Sequence, residues 1–142
     1  MKTFVDTNIL IDYLLDGRPL QKEAIMIFEG AKRNFYNLIL TTQSVIDAAY
    51  VSKKSGAELD DVSNFFEWLT LHVNMEAIDS FDIREALESG NPDFEDASQF
   101  AHAESSRCDF FITSDRKLLD LKSDSGMTVL SPTDFVSRMK QQ

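Results

Sequence analysis

The sequence predicts an α/β fold in which βα units assemble a parallel sheet. Short apolar runs alternate with amphipathic segments along the chain, the pattern of strands buried on both faces and helices packed against them. Two of those runs, Thr3-Phe4-Val5 and Phe110-Phe111-Ile112, lead into short polar, acidic stretches, as strand ends do. The 142 residues, 43% of them apolar and eleven of them Phe, suffice for one compact domain with a real core and argue against disorder.

Element by element, residues 3–5 form a buried strand that ends at Asp6-Thr7-Asn8. Helical spacing of Ile9, Leu10, Tyr13 and Leu14 follows, until Asp16-Gly17-Arg18-Pro19 breaks it. A second helix covers 20–32, with Ala24, Ile27, Phe28 and Ala31 on one face. Residues 37–42 make the second strand. The helix over 43–54 turns Val45, Ala48, Ala49 and Ser52 inward. The helix over 59–71 carries a stripe of Val62, Phe65, Phe66 and Leu69. A short strand lies within 73–78, and Asp79-Ser80 caps a helix that runs to Ser89. Residues 93–106 form a helix packing Phe94, Ala97, Phe100 and Ala101. The strand at 110–112 follows, then an edge strand at 127–130. Ser131-Pro132-Thr133-Asp134 supplies the cap, first-turn proline and N3 acid of a last helix. No repeat, low-complexity tract or linker divides the chain, so residues 1–142 are expected to form a single domain.

No apolar run approaches the ~20 residues needed to span a bilayer. The first residues lack a signal-like hydrophobic stretch, and Cys108 is alone, which excludes an intramolecular disulfide. The expected compartment is the cytoplasm, with no membrane partner. The formal net charge of −10 is unusual for a protein that handles phosphate. Its distribution is uneven. From Glu76 to Glu104 the only basic residue is Arg84, while basic pairs stand elsewhere, such as Lys53 with Lys54 and Arg116 with Lys117. Divalent cations in an acidic pocket would reverse the local field. Outside the motifs below, a solvated acidic face accounts for the excess equally well.

Ligands of open parallel sheets bind beyond the carboxyl ends of the strands. Asp6 and Asp115 stand at two such ends, and Asp47 lies early in the helix after the second strand. Asp96 lies in the first turns of the helix opened by Asp93, and the two share a helical face. Taken singly, Asp6, Asp93 and Asp115 read as N-caps. Brought together, four carboxylates would repel and raise one another's pKa unless a cation stood between them. Magnesium, a hard ion that takes a few carboxylates and keeps several waters, suits that place and can activate water for phosphodiester hydrolysis. Such chemistry requires no His, Cys or Ser. His72 and His102, without metal-ligand partners at usable spacing, are read as structural, and Cys108 as buried.

These residues, in this order, resemble the PIN-domain nucleases, among them the toxins of VapBC-type toxin–antitoxin pairs. The stretch Phe4-Val5-Asp6-Thr7-Asn8-Ile9-Leu10-Ile11-Asp12 resembles the first strand and its acid–Thr–Asn turn. The run Thr41-Thr42-Gln43-Ser44-Val45-Ile46-Asp47 resembles the segment with the second acid, where Asp47 replaces the commoner, longer Glu. Asp93-Phe94-Glu95-Asp96-Ala97-Ser98-Gln99 resembles the helix start with the third, placed at Asp96, with Asp93 a competing acid. Ile112-Thr113-Ser114-Asp115 resembles the strand end with the fourth, and the likeness runs on through Val129 to Phe135. The resemblance implies a three-layer α/β/α domain with a mostly parallel central sheet. It implies metal-dependent endonucleolytic cleavage of RNA, with Mg2+ (or Mn2+) held by Asp6, Asp47, Asp96 and Asp115. Asn8 and Thr113 or Ser114 would orient those ligands, and Arg116 and Lys117 are candidate phosphate contacts. Implied partners are the RNA substrate, a cognate antitoxin for a toxin, and a second copy in a homodimer.

Two other readings compete. A phosphotransfer enzyme of the haloacid dehalogenase type with Asp6 as nucleophile would want an acid two residues on, where Asn8 stands. A catalytically weak or inactive PIN-like domain that binds RNA or protein without cutting is the alternative from a different class.

Overall fold

The computed structural model describes residues 1–141. In chain order the elements are β1 (Lys2–Val5), α1 (Thr7–Leu14), α2 (Gln21–Lys32), β2 (Asn37–Thr41), α3 (Thr42–Lys54), α4 (Leu59–His72) and β3 (Asn74–Glu76). There follow α5 (Ser80–Glu88), α6 (Phe94–Ser105), β4 (Phe110–Ile112), α7 (Arg116–Leu119), β5 (Thr128–Leu130) and α8 (Pro132–Lys140). The five strands form one sheet in the order β3-β2-β1-β4-β5, and every pairing is parallel. The sheet expected to be mostly parallel is therefore wholly so.

The pleat sorts the strand residues into two cores, because successive side chains leave opposite faces. Val5, Leu38, Leu40, Phe110 and Ile112 face one way, onto a core built with Ile9 and Leu10 of α1, Ile27 and Phe28 of α2, Phe65 and Leu69 of α4, and Phe135 of α8. Phe4, Ile39 and Phe111 face the other way, onto Phe100 and Ala103 of α6, Leu118 of α7, and Cys108 between α6 and β4. The result is three layers, α/β/α. Aromatic rings fill the larger core, with Tyr13 stacked on Phe65 at 4.0 Å and Phe28 edge-on to Phe65 at 5.2 Å. In the smaller core Phe4 stacks on Phe111 at 5.2 Å.

The helical stripes match expectation closely in α2 and α4, where Ala24, Ile27, Phe28, Ala31, Val62, Phe65 and Leu69 are all buried. Three residues depart from it. Phe94, expected to pack, is 44% exposed, because it opens α6 on the solvent side. Thr42 belongs to α3 rather than to β2, since Thr41 caps the helix by accepting the Ser44 amide. Ser44 is fully buried beside that cap.

Candidate active site

Strands β2 and β3 lie on one side of β1, and β4 and β5 on the other. The connection order therefore reverses between β1 and β4, and a crevice opens beyond their carboxyl ends. Asp6 ends β1 and Asp115 follows β4, one on each side of that crevice. Each is also an N-cap: Asp6 accepts the Asn8 amide at 2.9 Å and Asp115 the Lys117 amide at 2.8 Å. Asp93 caps α6 through the Asp96 amide at 3.1 Å. The three caps thus place carboxylates at the positive ends of α1, α6 and α7.

Asp6, Asp47, Asp93, Asp96 and Asp115 line one cavity of about 250 Å³, together with Glu95, Thr7, Asn8, Ile11 and Val51. Asp6 is 4% exposed. Burial raises its pKa to about 6; hydrogen bonds from the Thr113 hydroxyl and the Asn8 amide pull the other way, and the Asp115 charge adds to the rise. Asp96 is pushed up to about 8 by burial, by a hydrogen bond shared with Asp115, and by the charges of Asp93, Asp115 and Asp6. Glu95, exposed at the rim of the cavity, is raised by partial desolvation of its carboxyl and by the charge of Asp47. Mutual repulsion so strong demands a counter-charge, whether protons or a cation.

The donor chemistry, carboxylate oxygen throughout, fits a hard divalent ion. Among the described residues no three His, Cys, Asp or Glu side chains stand close enough together to hold a metal as they are. A cation in this cavity would therefore meet one or two carboxylates directly and the rest through water, the habit of magnesium.

Of the supporting residues, Thr113 is fully buried and donates its hydroxyl to Asp6 Oδ2, while accepting the Asp115 amide at 3.0 Å. It ties the two strand-end acids together. No described side-chain hydrogen bond comes from Ser114, and Asn8 supports Asp6 through its backbone amide rather than its side chain. Arg116 and Lys117 are exposed at the start of α7.

Sequence reasoning missed a polar relay beside the cavity. Gln99 Nε2 donates to Thr7 Oγ1 at 2.8 Å, Thr7 Oγ1 lies 2.9 Å from Ser44 Oγ, and Thr7 donates to Glu95 Oε1 at 3.2 Å. The spacing Glu95–Gln99, four residues apart on one helix, was the available signal. His102 is not in an ordinary setting either. Its Nδ1 meets Asp82 at 2.7 Å and its Nε2 meets Glu76 at 2.9 Å, which joins β3, α5 and α6. Burial alone would lower its pKa, but the hydrogen bonds and charges of Asp82 and Glu76 raise it on balance.

The family model for the PIN domain matches residues 2–117. No curated protein is similar in sequence. The fold is similar to that of VapC20 of Mycobacterium tuberculosis, described as a sarcin-ricin loop cleaving toxin, with TM-score 0.63, 14% identity, and 87% of this chain and 92% of that one covered. It is similar to a chain of a toxin-antitoxin complex from Klebsiella pneumoniae, with TM-score 0.65, 22% identity and coverage of 92% and 97%. It is also similar to PAE2754 of Pyrobaculum aerophilum, with TM-score 0.67, 19% identity and coverage of 100% and 97%. At such identities the likeness speaks for the fold, and the family match for membership. With its wholly parallel sheet and its acids gathered at the strand ends, the chain belongs to the PIN domain family.

Proposed function

We propose that the protein is a metal-dependent endoribonuclease and the toxin of a toxin–antitoxin pair. The observation that carries the reading is the gathering of Asp6, Asp47, Asp96 and Asp115 in one cavity at the topological switch point. Asp6, Asp96 and Asp115 would hold Mg2+ or Mn2+, with Asp47 on the α3 side and Asp93 beside them. The ion, when bound, would activate water and steady the charge that develops on the phosphate and leaving oxygens. Thr113 holds Asp6 in place, and the Asn8 amide fixes the same carboxylate from the other side. Asp96, pushed up to about 8, is a group able to take up and release a proton near neutral pH. Arg116 and Lys117 border the cavity through Asp115 and would meet the RNA backbone.

Support for the biological role comes from the neighbours, one described as a cleaving toxin and another as part of a toxin-antitoxin complex. An antitoxin with a basic segment would be drawn to a chain of net charge −10. A homodimer is the expected assembly. One observation favours the other reading, a PIN domain that binds without cutting: no three carboxylates converge at ligand distance among the described residues.

The two readings separate on incubating a mixed RNA pool with purified protein in magnesium, manganese or EDTA, beside Asp6→Asn and Asp96→Asn. Metal-dependent cutting lost in both variants is the expected result. Correctly folded protein that cuts nothing under either metal would favour the binding domain. Cutting that survives both substitutions would sink the carboxylate mechanism.

A further inference from the structure

We infer that Glu95, projecting from α6, is the carboxylate that serves the α3 side of the cavity, ahead of Asp47. The inference rests on the metal-dependent reading above and names a residue of the same site. Its basis is a chain of hydrogen bonds with one direction. The Thr41 hydroxyl donates to Ser44 Oγ at 3.0 Å and accepts the Ser44 amide at 3.1 Å. Thr7 has a single hydroxyl proton, and it goes to Glu95 Oε1. The 2.9 Å contact between Ser44 and Thr7 must then be a donation from Ser44. Gln99 adds its amide, 2.8 Å from Thr7 and 3.5 Å from Glu95 Oε1. Every hydroxyl proton of the relay points toward Glu95, its terminal acceptor among the described residues.

The relay is anchored in the buried interior. Thr41 ends β2 and is fully buried, Ser44 is fully buried, and Gln99 is 2% exposed. Gln99 keeps this orientation although its Oε1 is buried without a partner among the described residues. The reverse orientation would turn that oxygen onto the Glu95 carboxylate. Residues of four elements, β2, α3, α1 and α6, thus converge on one oxygen of a side chain that lines the cavity. Asp47 has no such support. Its described side-chain hydrogen bond comes from Gln43, one turn earlier on the same helix, at 3.0 Å. Glu95 and Asp47 both line the cavity, one from α6 and the other from α3. An anion held in place by neutral donors, facing other anions, is a preorganised seat for a cation.

The test is Mn2+ binding to the full chain, followed by the loss of the free-ion signal in electron paramagnetic resonance, together with melting in the presence and absence of MnCl2. Variants are Glu95→Gln, Glu95→Asp, Asp47→Asn and, as a control, Asp6→Asn. Glu95→Gln should weaken Mn2+ binding about tenfold or more, and Asp47→Asn by less. Without metal, Glu95→Gln should melt no lower than the parent, because it removes one of the mutually repelling charges. If Glu95→Gln proves unstable, Glu95→Asp keeps the charge but draws it back, and it should lose affinity as well. Parent-like affinity in Glu95→Gln or in Glu95→Asp, with Asp47→Asn and Asp6→Asn impaired, would assign the place to Asp47 and overturn the inference. Parent-like affinity in all variants, Asp6→Asn included, would instead overturn the carboxylate site on which it rests.

Discussion

At the scale of single residues, the decisive property of this cavity is the proton affinity of its acids. Asp6 near 6 and Asp96 near 8 bind protons more tightly in the folded chain than in the unfolded one. A cation must displace those protons, so Mn2+ affinity should climb between pH 6 and pH 8, by about tenfold per pH unit for each proton displaced. A flat affinity over that range would argue that the ion sits elsewhere. Asp96→Asn should raise the melting temperature of the metal-free protein and abolish its rise on adding magnesium, as scanning calorimetry would read. A second residue acts on packing alone. A Cβ added at Gly30 would stand 2.3 Å from Tyr36 Oη and 2.8 Å from its Cζ. That ring cannot yield easily, for it is 6% exposed and its hydroxyl donates to Ile27 O at 2.6 Å. Gly30→Ala should therefore cost about 1–3 kcal/mol in urea unfolding.

At the scale of elements, α6 is the part on which the site depends. Its first turn carries Asp96 and Glu95, its middle carries Gln99, and its last turn carries His102. With carboxylates on both ring nitrogens, which favour its protonated form, His102 fastens α6 to β3 and α5. Ser105 and Ser106 complete the bonds to Asp82 and Glu76, each at 2.9 Å. His102→Ala would leave the Asp82 carboxylate, itself 1% exposed, without its cation. The expected loss is about 3–5 kcal/mol by denaturant unfolding, the range for breaking one side of a buried pair. An unchanged midpoint would mean that the pair contributes nothing net. This element also explains an error of reading. The spacing of α6 marked Phe94 as buried, whereas the helix turns that end to solvent and buries Gln99 and His102 instead.

At the scale of the whole molecule, the shifts combine into a stability profile. His102, Asp6 and Asp96 are raised, so what each contributes is fully present below its unfolded pKa and fades as pH climbs through its folded value. Glu76 is lowered, because His102 and Ser106 outweigh its burial, and its contribution fades as pH falls below the usual carboxylate range. The metal-free protein should accordingly melt highest in mildly acid solution and lose stability toward pH 8. Magnesium should restore more at pH 8 than at pH 6. Melting curves at the two pH values, with and without the ion, check both signs; a metal-free protein that gains stability toward pH 8 would contradict them.

The sequence by itself determined the order of the elements other than α7, the strand ends at Asp6 and Asp115, the caps at Asp79, Asp93 and Ser131, and the faces of α2 and α4. These are local matters, set by periodicity, by Gly and Pro breaks, and by side chains that bond a backbone amide two or three residues away. The juxtaposition of Asp47, Glu95 and Thr7, the relay from Thr41 through Ser44, and the lodging of His102 between Asp82 and Glu76 were decided only by the tertiary structure. The physical reason is range. The His102 contacts join residues 20 and 26 apart and the Thr7–Glu95 bond residues 88 apart, and nothing in local spacing tells a helical Ser, Gln or His which partner the packing of three layers will bring to it.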